Sequence, residues 1–385
     1  MTTHVFIVDS KTFKVHLENL FAGTGAGDNI IDFNNVIDTS LHSTTENNLV
    51  SMIADGQRIR QGDYIIFYLQ QNFQENIRDG KFYGIFKAKN DWSFLDHNDA
   101  SQYLINQLEK SLTFRTLIEP YKVYSKGVTE WEALDEIKNI QSPNQMLWSL
   151  IYRKLKGNRG NTMITIYEAE RLFQLIRNKN NREELNLNNK KLTFDSEDQL
   201  IKILDGPQHR YEGRQEEIRI LPRLINKYIQ RKSFESHLQA FIVQFIGKLD
   251  NLDLILEGRK IEWLGNEVSC GVGMQRIDVM VSVDQDNQRT VIPIELKSVE
   301  AKKYNVNQIQ RYVDWLEQYY IPNRQSDIEP ILIAKKLQNK DSQTYRELVE
   351  DFNRFNNKNR NLCKKLVYIE ISIKEDNIVF EKVDY

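Results

Sequence analysis

Two neighbouring stretches decide the fold of the C-terminal part of the chain: Arg276-Ile-Asp-Val-Met-Val-Ser-Val283 and Val291-Ile-Pro-Ile-Glu-Leu-Lys297. In each stretch apolar residues alternate with others, which is typical of a β-strand with one buried face. Asp278 in the first, and Glu295 and Lys297 in the second, fall on the opposite face. The turn-rich residues 284–289 predict a hairpin. We therefore expect the two acids and the lysine to lie together on one side of a sheet.

Such a group of side chains suits metal-assisted hydrolysis. Two neighbouring carboxylates repel each other unless a cation lies between them, and Mg²⁺ prefers hard oxygen ligands while keeping open water positions. A lysine beside the ion can orient or deprotonate a water molecule, and the metal stabilises charge that develops on a phosphate. An Asp followed by Glu-x-Lys is by itself more often a solvated strand face, so the flanking helices matter.

Two amphipathic helices flank the predicted hairpin. Apolar residues recur at helical spacing from Arg231 to Leu249, and Glu235 lies at the edge of that apolar stripe, where it would face the sheet. A second helix is predicted from Val306 to Tyr320, with Gln308 and Tyr312 four positions apart on one face.

The segment from about 234 to 316 resembles the PD-(D/E)xK nuclease superfamily, and most closely its NucS-like branch. The matching elements are Glu235, Gly273-Met-Gln-Arg-Ile-Asp278, Ile294-Glu-Leu-Lys297 and Gln308-Ile-Gln-Arg-Tyr312. The resemblance implies that Asp278 and Glu295 bind Mg²⁺, for which Mn²⁺ can substitute, that Lys297 serves the attacking water and that Glu235 completes the site. Gln308 and Tyr312 would support the site or the DNA.

Two features depart from the pattern of that branch. An extra residue separates Gly273 from the Arg-Ile-Asp unit, and Pro293 lies within the second strand. Because proline cannot donate a ladder hydrogen bond, it predicts a bulge or a sheet edge at that point.

Composition excludes several other classes. The 385 residues are 28% charged and 40% hydrophobic, which is typical of a soluble protein with room for two or three domains. No apolar run is long enough to span a bilayer and the start does not resemble a signal peptide, so we expect a cytoplasmic protein. Cys270 and Cys363 are too few for a disulfide framework or a zinc site.

The net charge of −2 offers no global attraction to nucleic acid, so DNA contacts must come from local basic patches. Pro222 is well placed to open a helix, on which Arg223, Lys227 and Arg231 recur every four residues as a basic stripe. A second patch, from Tyr152 to Gly160, could contact phosphates or a guanine edge. Its basic residues are Arg153, Lys154, Lys156 and Arg159. Both patches can equally be solvated surface.

The N-terminal part predicts short strands at 4–9, 62–69 and 80–88, with helices such as Ala100 to Lys110 between them, as in a small β-barrel. Residues of about 3–125 resemble PUA-like domains of the EVE and YTH kind. That resemblance implies a pocket for a flipped, often methylated base, read by stacking and edge hydrogen bonds. Trp92, Asp9 and Ser10 are the candidate pocket residues, although a tryptophan beside a barrel is more often part of the core.

The predicted fold class is therefore a multidomain mixture of α/β and α+β. Residues 1–125 form the PUA-like small β-barrel with helices, residues 126–215 a mainly helical and linker region with the basic loop, and residues 216–385 a restriction-endonuclease-like mixed sheet flanked by helices. Further strands are predicted at 329–334 and 366–371, and an edge strand at 378–383.

These expectations together indicate a Mg²⁺-dependent endonuclease of restriction type that cuts double-stranded DNA at a specific sequence or a modified base. Because one such site cuts one strand, we expect a homodimer, and a cognate DNA methyltransferase would be a natural partner. Two alternatives stay open at this point. One is a structure-selective repair nuclease for mismatches or branches, and the other is a non-catalytic reader of modified nucleic acid.

Overall fold

The computed structural model describes residues 1–26, 42–135, 160–270 and 275–385. These residues divide into two compact units. The first comprises residues 1–26, 55–135 and 160–218, and the second comprises residues 42–54, 219–270 and 275–385. Within these ranges no helix has both the length and the apolarity needed to cross a membrane.

The first unit is built on a mixed sheet. Its strands follow the order β2-β6-β4-β3-β1-β8, with β5 beside β6 and β7 beside β4, and β9 and β10 form a separate hairpin. Strand β1 is parallel to β3, and the other pairings are antiparallel. The strands are β1 (Thr3–Val8), β2 (Phe21–Thr24), β3 (Tyr64–Leu69), β4 (Lys81–Ala88), β5 (Phe94–Leu95), β6 (Phe114–Pro120), β7 (Val128–Thr129), β8 (Asn161–Ile164), β9 (Lys190–Asp195) and β10 (Leu200–Asp205).

Both faces of this sheet are covered, which explains why residues 5–8 of β1 are all apolar and why those of β3 are all apolar or aromatic. On one face Phe67 packs against Phe13, with ring centroids 5.1 Å apart, in a core that also includes residues of β9 and β10. On the other face Ile66 packs in a second core with residues of the helix Ile166–Lys179. The described pairings form an open path from β2 to β8, so the predicted small barrel is observed as a curled, mixed sheet that forms half a barrel.

The helices of the first unit lie between its strands in the chain, as predicted, and one of them is shorter than predicted. They are α1 (Ser10–Asn19), the last residues of α2 (Ser43–Gln57), α3 (Ile105–Leu108), α4 (Glu130–Asp135) and α5 (Ile166–Lys179). The helix predicted from Ala100 to Lys110 is only the single turn α3, because Leu104 and Glu109 at its two ends both adopt left-handed backbone angles. The region 126–215, predicted to be mainly helix and linker, contains β8, β9 and β10 in its described part.

The second unit contains a sheet of seven strands in the order β11-β12-β13-β15-β16-β17, with β14 beside β13. Strands β13, β15 and β16 are parallel, and β17 pairs with β16 at the edge, as predicted. The predicted hairpin is confirmed. The strands are β11 (Lys260–Ser269), β12 (Arg276–Gln285), β13 (Gln288–Lys297), β14 (Asp327–Ile328), β15 (Ile331–Lys335), β16 (Val367–Lys374) and β17 (Asn377–Val383).

The hairpin turn is tight because of the backbone conformation of its two central residues. Asp286 and Asn287, the two residues between β12 and β13, have φ angles of 52° and 68°. Positive φ at both central positions is the type I′ turn, which matches the natural twist of the strands and favours Asp and Asn. The register of the two strands is set by this turn and runs unbroken from Gln285 opposite Gln288 to Val279 opposite Ile294.

The expectation that Pro293 marks a bulge or a sheet edge is wrong. Pro293 lies opposite Met280 in the continuous ladder between β12 and β13. Strand β13 also has neighbouring strands on its other side, so it is not at the edge of the sheet. On that other side β14 pairs with β13 only as far as Val291, and β15 begins pairing at Ile294. The proline therefore lies where the neighbouring strand is itself interrupted, so its missing N–H falls beside a gap in that ladder.

The helix predicted to open at Pro222 is observed as α6 (Leu221–Ile229), and the helix predicted from Arg231 to Leu249 is observed as the shorter α7 (Glu235–Phe245). Arg231 has a φ of 56°, and the N–H of Lys232 donates to the carbonyl of Lys227 over 3.0 Å. This bond, five residues apart, closes α6 as a Schellman motif, in which the left-handed residue is usually glycine.

The remaining helices of the second unit are α8 (Asp253–Leu256), α9 (Lys303–Trp315) and α10 (Gln343–Asn359). The helix predicted from Val306 to Tyr320 is observed as α9 followed by a π-helical turn over Leu316–Tyr320.

One buried carboxylate anchors α2 within the second unit. Glu46 accepts from Arg223 Nε over 2.6 Å, lies 2.7 Å from Lys227 Nζ and lies 3.0 Å from His237 Nε2. Burial alone would raise the pKa of Glu46, but the hydrogen bonds from His237, Arg223 and Lys227 outweigh it and hold the pKa well below its ordinary value. A single acid thus pairs with two cations of α6 and with the His237 side chain of α7.

Replacing Glu46 by Ala should destabilise the second unit by about 3 kcal/mol at neutral pH, because it removes a carboxylate that pairs with the buried Arg223 and with Lys227. A group with a depressed pKa stabilises the fold above its ordinary pKa, here 4.5, and loses that contribution as the pH falls further. The difference between the two proteins should therefore shrink below that pH. Urea unfolding monitored between pH 3 and 8 measures it.

A matched control is Glu257→Ala, which removes the acid of the exposed pair between Glu257 and Lys382. That change should cost less than about 1 kcal/mol. Equal losses for the two variants would contradict the anchoring role of Glu46.

Candidate active site

Strands β12 and β13 bring together the two acids on which the predicted site depends. Val279 lies opposite Ile294, so Asp278 and Glu295 are the next residues along the two neighbouring strands. The carboxylate of Asp278 reaches across to β13, where its Oδ2 accepts the N–H of Leu296 over 2.8 Å. The alternation of apolar residues places both acids as the sequence predicts.

Lys297 compensates the negative charge. Its Nζ lies 2.7 Å from Oε1 of Glu295 and 3.4 Å from Oε1 of Glu235 at the start of α7. The side chain of Glu295 is 1% exposed, that of Lys297 10% and that of Glu235 38%. The structure therefore unites Asp278, Glu295, Lys297 and Glu235 in one cluster that opens towards solvent beside Glu235.

The two predicted supporting residues on α9 have different surroundings. The hydroxyl of Tyr312 is 2.5 Å from Oε2 of Glu295 and 2.8 Å from the carbonyl of Arg276, so its one proton is shared between two acceptors. Tyr312 thereby orients Glu295 and joins α9 to both strands. Gln308 accepts from the side chain of Asn305 over 3.3 Å, and its described hydrogen bond is within α9 rather than to the acids.

The pKa values follow from burial and from the crowding of like charges. Burial, together with the charge of Glu295, raises the pKa of Asp278 well above its usual range. Burial also raises the pKa of Glu235, and Lys297 only partly offsets it. Burial alone would lower the pKa of Lys297, but Glu295 and Glu235 outweigh it, so the pKa of the lysine is raised and it carries a positive charge at neutral pH.

The donor set of the site fits a hard divalent cation. One oxygen of each acid is held by a neighbour, Oδ2 of Asp278 by Leu296 and Oε2 of Glu295 by Tyr312. Oε1 of Glu295 is buried without a hydrogen bond of suitable direction, although Lys297 lies close to it. Among the described residues no three His, Cys, Asp or Glu side chains converge to hold a metal, so the fit rests on two carboxylates and water. Mg²⁺ is commonly bound in that way.

Two contributors to the site were missed by sequence reasoning. Gln239 of α7 donates from Nε2 to the carbonyl of Asp278 over 2.8 Å, and it is buried although polar. The backbone N–H of Leu296 fixes the carboxylate of Asp278. A glutamine inside the apolar stripe of α7 is a signal that could have been noticed, whereas a backbone donor leaves none in the sequence.

The predicted basic stripe on α6 is not an exposed surface. Arg223 is buried, and both Arg223 and Lys227 are held by Glu46. Arg231 is exposed but lies beyond the end of α6, because the chain turns there. The expectation of one stripe leading into the Glu235 helix is therefore wrong. The second predicted patch, with Arg153, Lys154, Lys156 and Arg159, lies outside the described residues, as does Gly273.

The predicted base-pocket residues of the first unit have local structural roles. Asp9 is the N-cap of α1, where its Oδ1 accepts the N–H of Thr12 over 2.7 Å, and its other oxygen pairs with Lys110. Ser10 donates to Glu75. Trp92 is half-buried in a tight turn after β4, with a φ of 61°. These contacts account for Asp9 and Ser10 without a ligand.

Comparisons with known proteins add only distant likenesses. The chain is similar to a hypothetical protein from Leishmania major at 10% identity with a TM-score of 0.29. It is also similar to human THYN1 protein in complex with DNA containing 5-methylcytosine, at 8% identity with a TM-score of 0.24. Each likeness covers 46% of this chain and 96% of the other. No family model and no curated protein matches the chain. The interpretation of the site therefore rests on its own geometry.

The crowding of charges gives a stability prediction. Asp278→Asn should stabilise the second unit in metal-free buffer at pH 8, because the amide oxygen can still accept from Leu296 while the buried negative charge is removed. The gain should be about 1.4 kcal/mol for each unit by which the pKa of Asp278 is raised. It should shrink as the pH falls through that raised pKa, where the native carboxyl becomes neutral. Thermal unfolding in EDTA at pH 8 and pH 5 measures both effects.

Asp284→Asn on the same strand is the control, because Asp284 is partly exposed and lies 3.7 Å from Arg289. It should change the free energy of unfolding by no more than about 0.5 kcal/mol. A lower melting temperature for Asp278→Asn at pH 8 would show that the acids do not repel each other in the folded state.

Proposed function

We propose that the second unit is a Mg²⁺-dependent phosphodiesterase and that the whole chain is an endonuclease of restriction type acting on double-stranded DNA. The observation that carries the proposal is the pairing of Asp278 and Glu295 on adjacent strands with Lys297 between Glu295 and Glu235. A single buried acid with a lysine partner has a sufficient structural explanation. A second buried acid placed beside it is electrostatically costly, and functional sites are where such costs occur.

In this proposal Asp278 and Glu295 hold the metal, and Mn²⁺ can replace Mg²⁺ there. When bound, the metal supplies Lewis-acid stabilisation of the charge that develops on the phosphate. The chain keeps the two acids ready for this task. Leu296 fixes the orientation of Asp278, and Tyr312 fixes that of Glu295, so little rearrangement is needed on binding.

Lys297 and Glu235 have different roles in the proposed reaction, hydrogen-bond donation and proton acceptance. Because the pKa of Lys297 is raised, its ammonium keeps its proton at neutral pH and acts by donating hydrogen bonds to a water molecule or a phosphate oxygen. The raised pKa of Glu235 makes it a better proton acceptor than an ordinary glutamate. Its partial exposure lets water reach it. This pair can therefore orient a water molecule and take up its proton.

Recognition of the DNA is part of the same proposal, but it rests on other residues than the acids and Lys297. The net charge of −2 requires local basic contacts, and the exposed Arg231 and Lys232 lie just before Glu235 in the chain. Three further expectations stay predictions. They are that the first unit reads a sequence or a modified base, that the chain forms a homodimer, and that a DNA methyltransferase is its partner.

Lys297→Met should reduce cleavage by about 10²- to 10⁴-fold, the usual contribution of a group that assists proton transfer or charge stabilisation. Met preserves the length and the packing of the side chain. The assay is gel electrophoresis of long duplex DNA with Mg²⁺, in unmethylated and methylated forms, and binding is followed in Ca²⁺ by filter retention. Cleavage by the variant within tenfold of the native rate would overturn the role of Lys297.

Lys340→Met is the matched control. Lys340 lies 3.0 Å from Glu370, which is also buried, in the same sheet. If both lysines serve only to neutralise a buried acid, the two variants should lose similar activity. The proposal expects Lys340→Met to stay within about threefold of the native rate.

Metal binding gives a test that needs no DNA. Calorimetric titration with Mn²⁺ should show saturable binding to the native chain, and Glu295→Gln should weaken it by at least tenfold, since even outer-sphere groups often contribute that much. Glu370→Gln on β16 is the control and should leave the affinity unchanged. No saturable binding by the native chain, or an equal loss in both variants, would exclude the metal site.

A further inference from the structure

The first unit contains a pocket that the proposed function does not use. It has a volume of about 480 Å³ and lies between the end of α1, strand β6 and the loops 187–190 and 207–211. Sites for small molecules commonly measure about 300 to 1,000 Å³. None of the predicted base-pocket residues lines it.

The floor of the pocket is apolar. It is formed by side chains that are buried or half-buried, among them Leu117 of β6, Leu187 and the ring of Tyr211. Leucine side chains left half-exposed in a concave surface present apolar area to water, which a ligand with an apolar body would remove.

The walls are held in place by buried and partly buried hydrogen bonds. The side chain of Gln208 accepts the N–H of Leu192 over 2.8 Å and donates to the carbonyls of Leu17 and Glu18 over 3.0 and 2.8 Å. The hydroxyl of Tyr211 donates to Asp96 over 2.8 Å. The loop 207–211 is thus fixed to α1 and to the core, so the pocket is formed before any ligand binds.

The rim is basic. It carries Lys89, Lys190 and Arg210 against one acid, Glu119. Lys190 is paired with Asp205 outside the pocket. Within the described ranges, no carboxylate forms an ion pair with Lys89 or Arg210. Two cations without an ion-pair partner in the described part of the chain and one acid, Glu119, therefore line the pocket, which leaves it a positive charge in a chain whose net charge is −2.

We propose that this pocket binds a small amphipathic anion, with an apolar or aromatic body over Leu117 and Leu187 and a phosphate, carboxylate or sulfonate group against Lys89 and Arg210. The floor supplies affinity through burial of apolar area, and the rim selects for negative charge. The proposal does not depend on the nuclease assignment, because every residue that it uses belongs to the first unit.

The test uses two fluorescent probes with the same aromatic body, anionic 1-anilinonaphthalene-8-sulfonate and neutral N-phenyl-1-naphthylamine, titrated into the full-length chain. The native chain should bind the anion saturably with one dominant site. The double variant Lys89→Glu/Arg210→Glu should weaken binding of the anion by at least tenfold and change binding of the neutral probe by less than twofold. Added salt should weaken only the anion.

Two further variants separate the pocket from other surfaces. Leu117→Trp should fill the floor and weaken both probes, and Leu187→Trp serves the same purpose if the first variant unfolds. Lys14→Glu on the exposed side of α1 reverses the charge of one cation outside the lining, half the charge change of the double variant, and it should have no effect. Anion binding that is unchanged in the double variant, or lost equally in Lys14→Glu, would overturn the proposal, as would unchanged binding in both tryptophan variants.

Discussion

The ion pair between Glu295 and Lys297 is the interaction on which the second unit depends. A carboxylate that is 1% exposed on a strand with neighbours on both sides cannot stay charged without a counter-charge and a donor. Lys297 supplies the counter-charge, and the hydroxyl of Tyr312 is the hydrogen-bond donor. Because Tyr312 is on α9, and because Lys297 also reaches Glu235 on α7, one buried charge determines where two helices meet the sheet. The packing of this region and the electrostatics of the candidate site therefore have the same cause.

The periodicity of apolar residues predicts those features of the site that depend only on neighbouring residues in the chain. Alternating apolar residues placed Asp278, Glu295 and Lys297 on one face, and the two-residue turn at Asp286 and Asn287 fixed their register. What periodicity could not reveal depends on distant partners. Glu46 lies 177 positions from Arg223 and 191 from His237, yet it determines that the basic residues of α6 are buried. Pro293 is tolerated because the neighbouring strand is interrupted, which the sequence of β13 does not show.

The first unit shows how one residue type can suggest two roles. Asp9 ends a buried strand, where a polar side chain can meet a ligand, but it also begins a helix three residues before Thr12. The second role is local and satisfies otherwise unpaired N–H groups at the helix start, and it is the role that the side chain of Asp9 has in the structure. The pocket lies near the other end of α1, where loops 187–190 and 207–211 meet β6. Those loops are far apart in the sequence, and no motif joins them.

The sheet of the second unit contains a second buried glutamate that can be compared with the candidate site. Lys297, Ala334 and Glu370 occupy one row across β13, β15 and β16, and Glu370 is as buried as Glu295 and also has a lysine partner. A buried glutamate with a lysine is thus a recurring structural solution here and cannot alone identify a catalytic centre. What distinguishes Glu295 is Asp278 on the adjacent strand, whose pKa is raised by burial and by the charge of Glu295. Lys297 compensates the charge of Glu295, and the proposed divalent cation, held by both carboxylates, would compensate the charge of Asp278 as well.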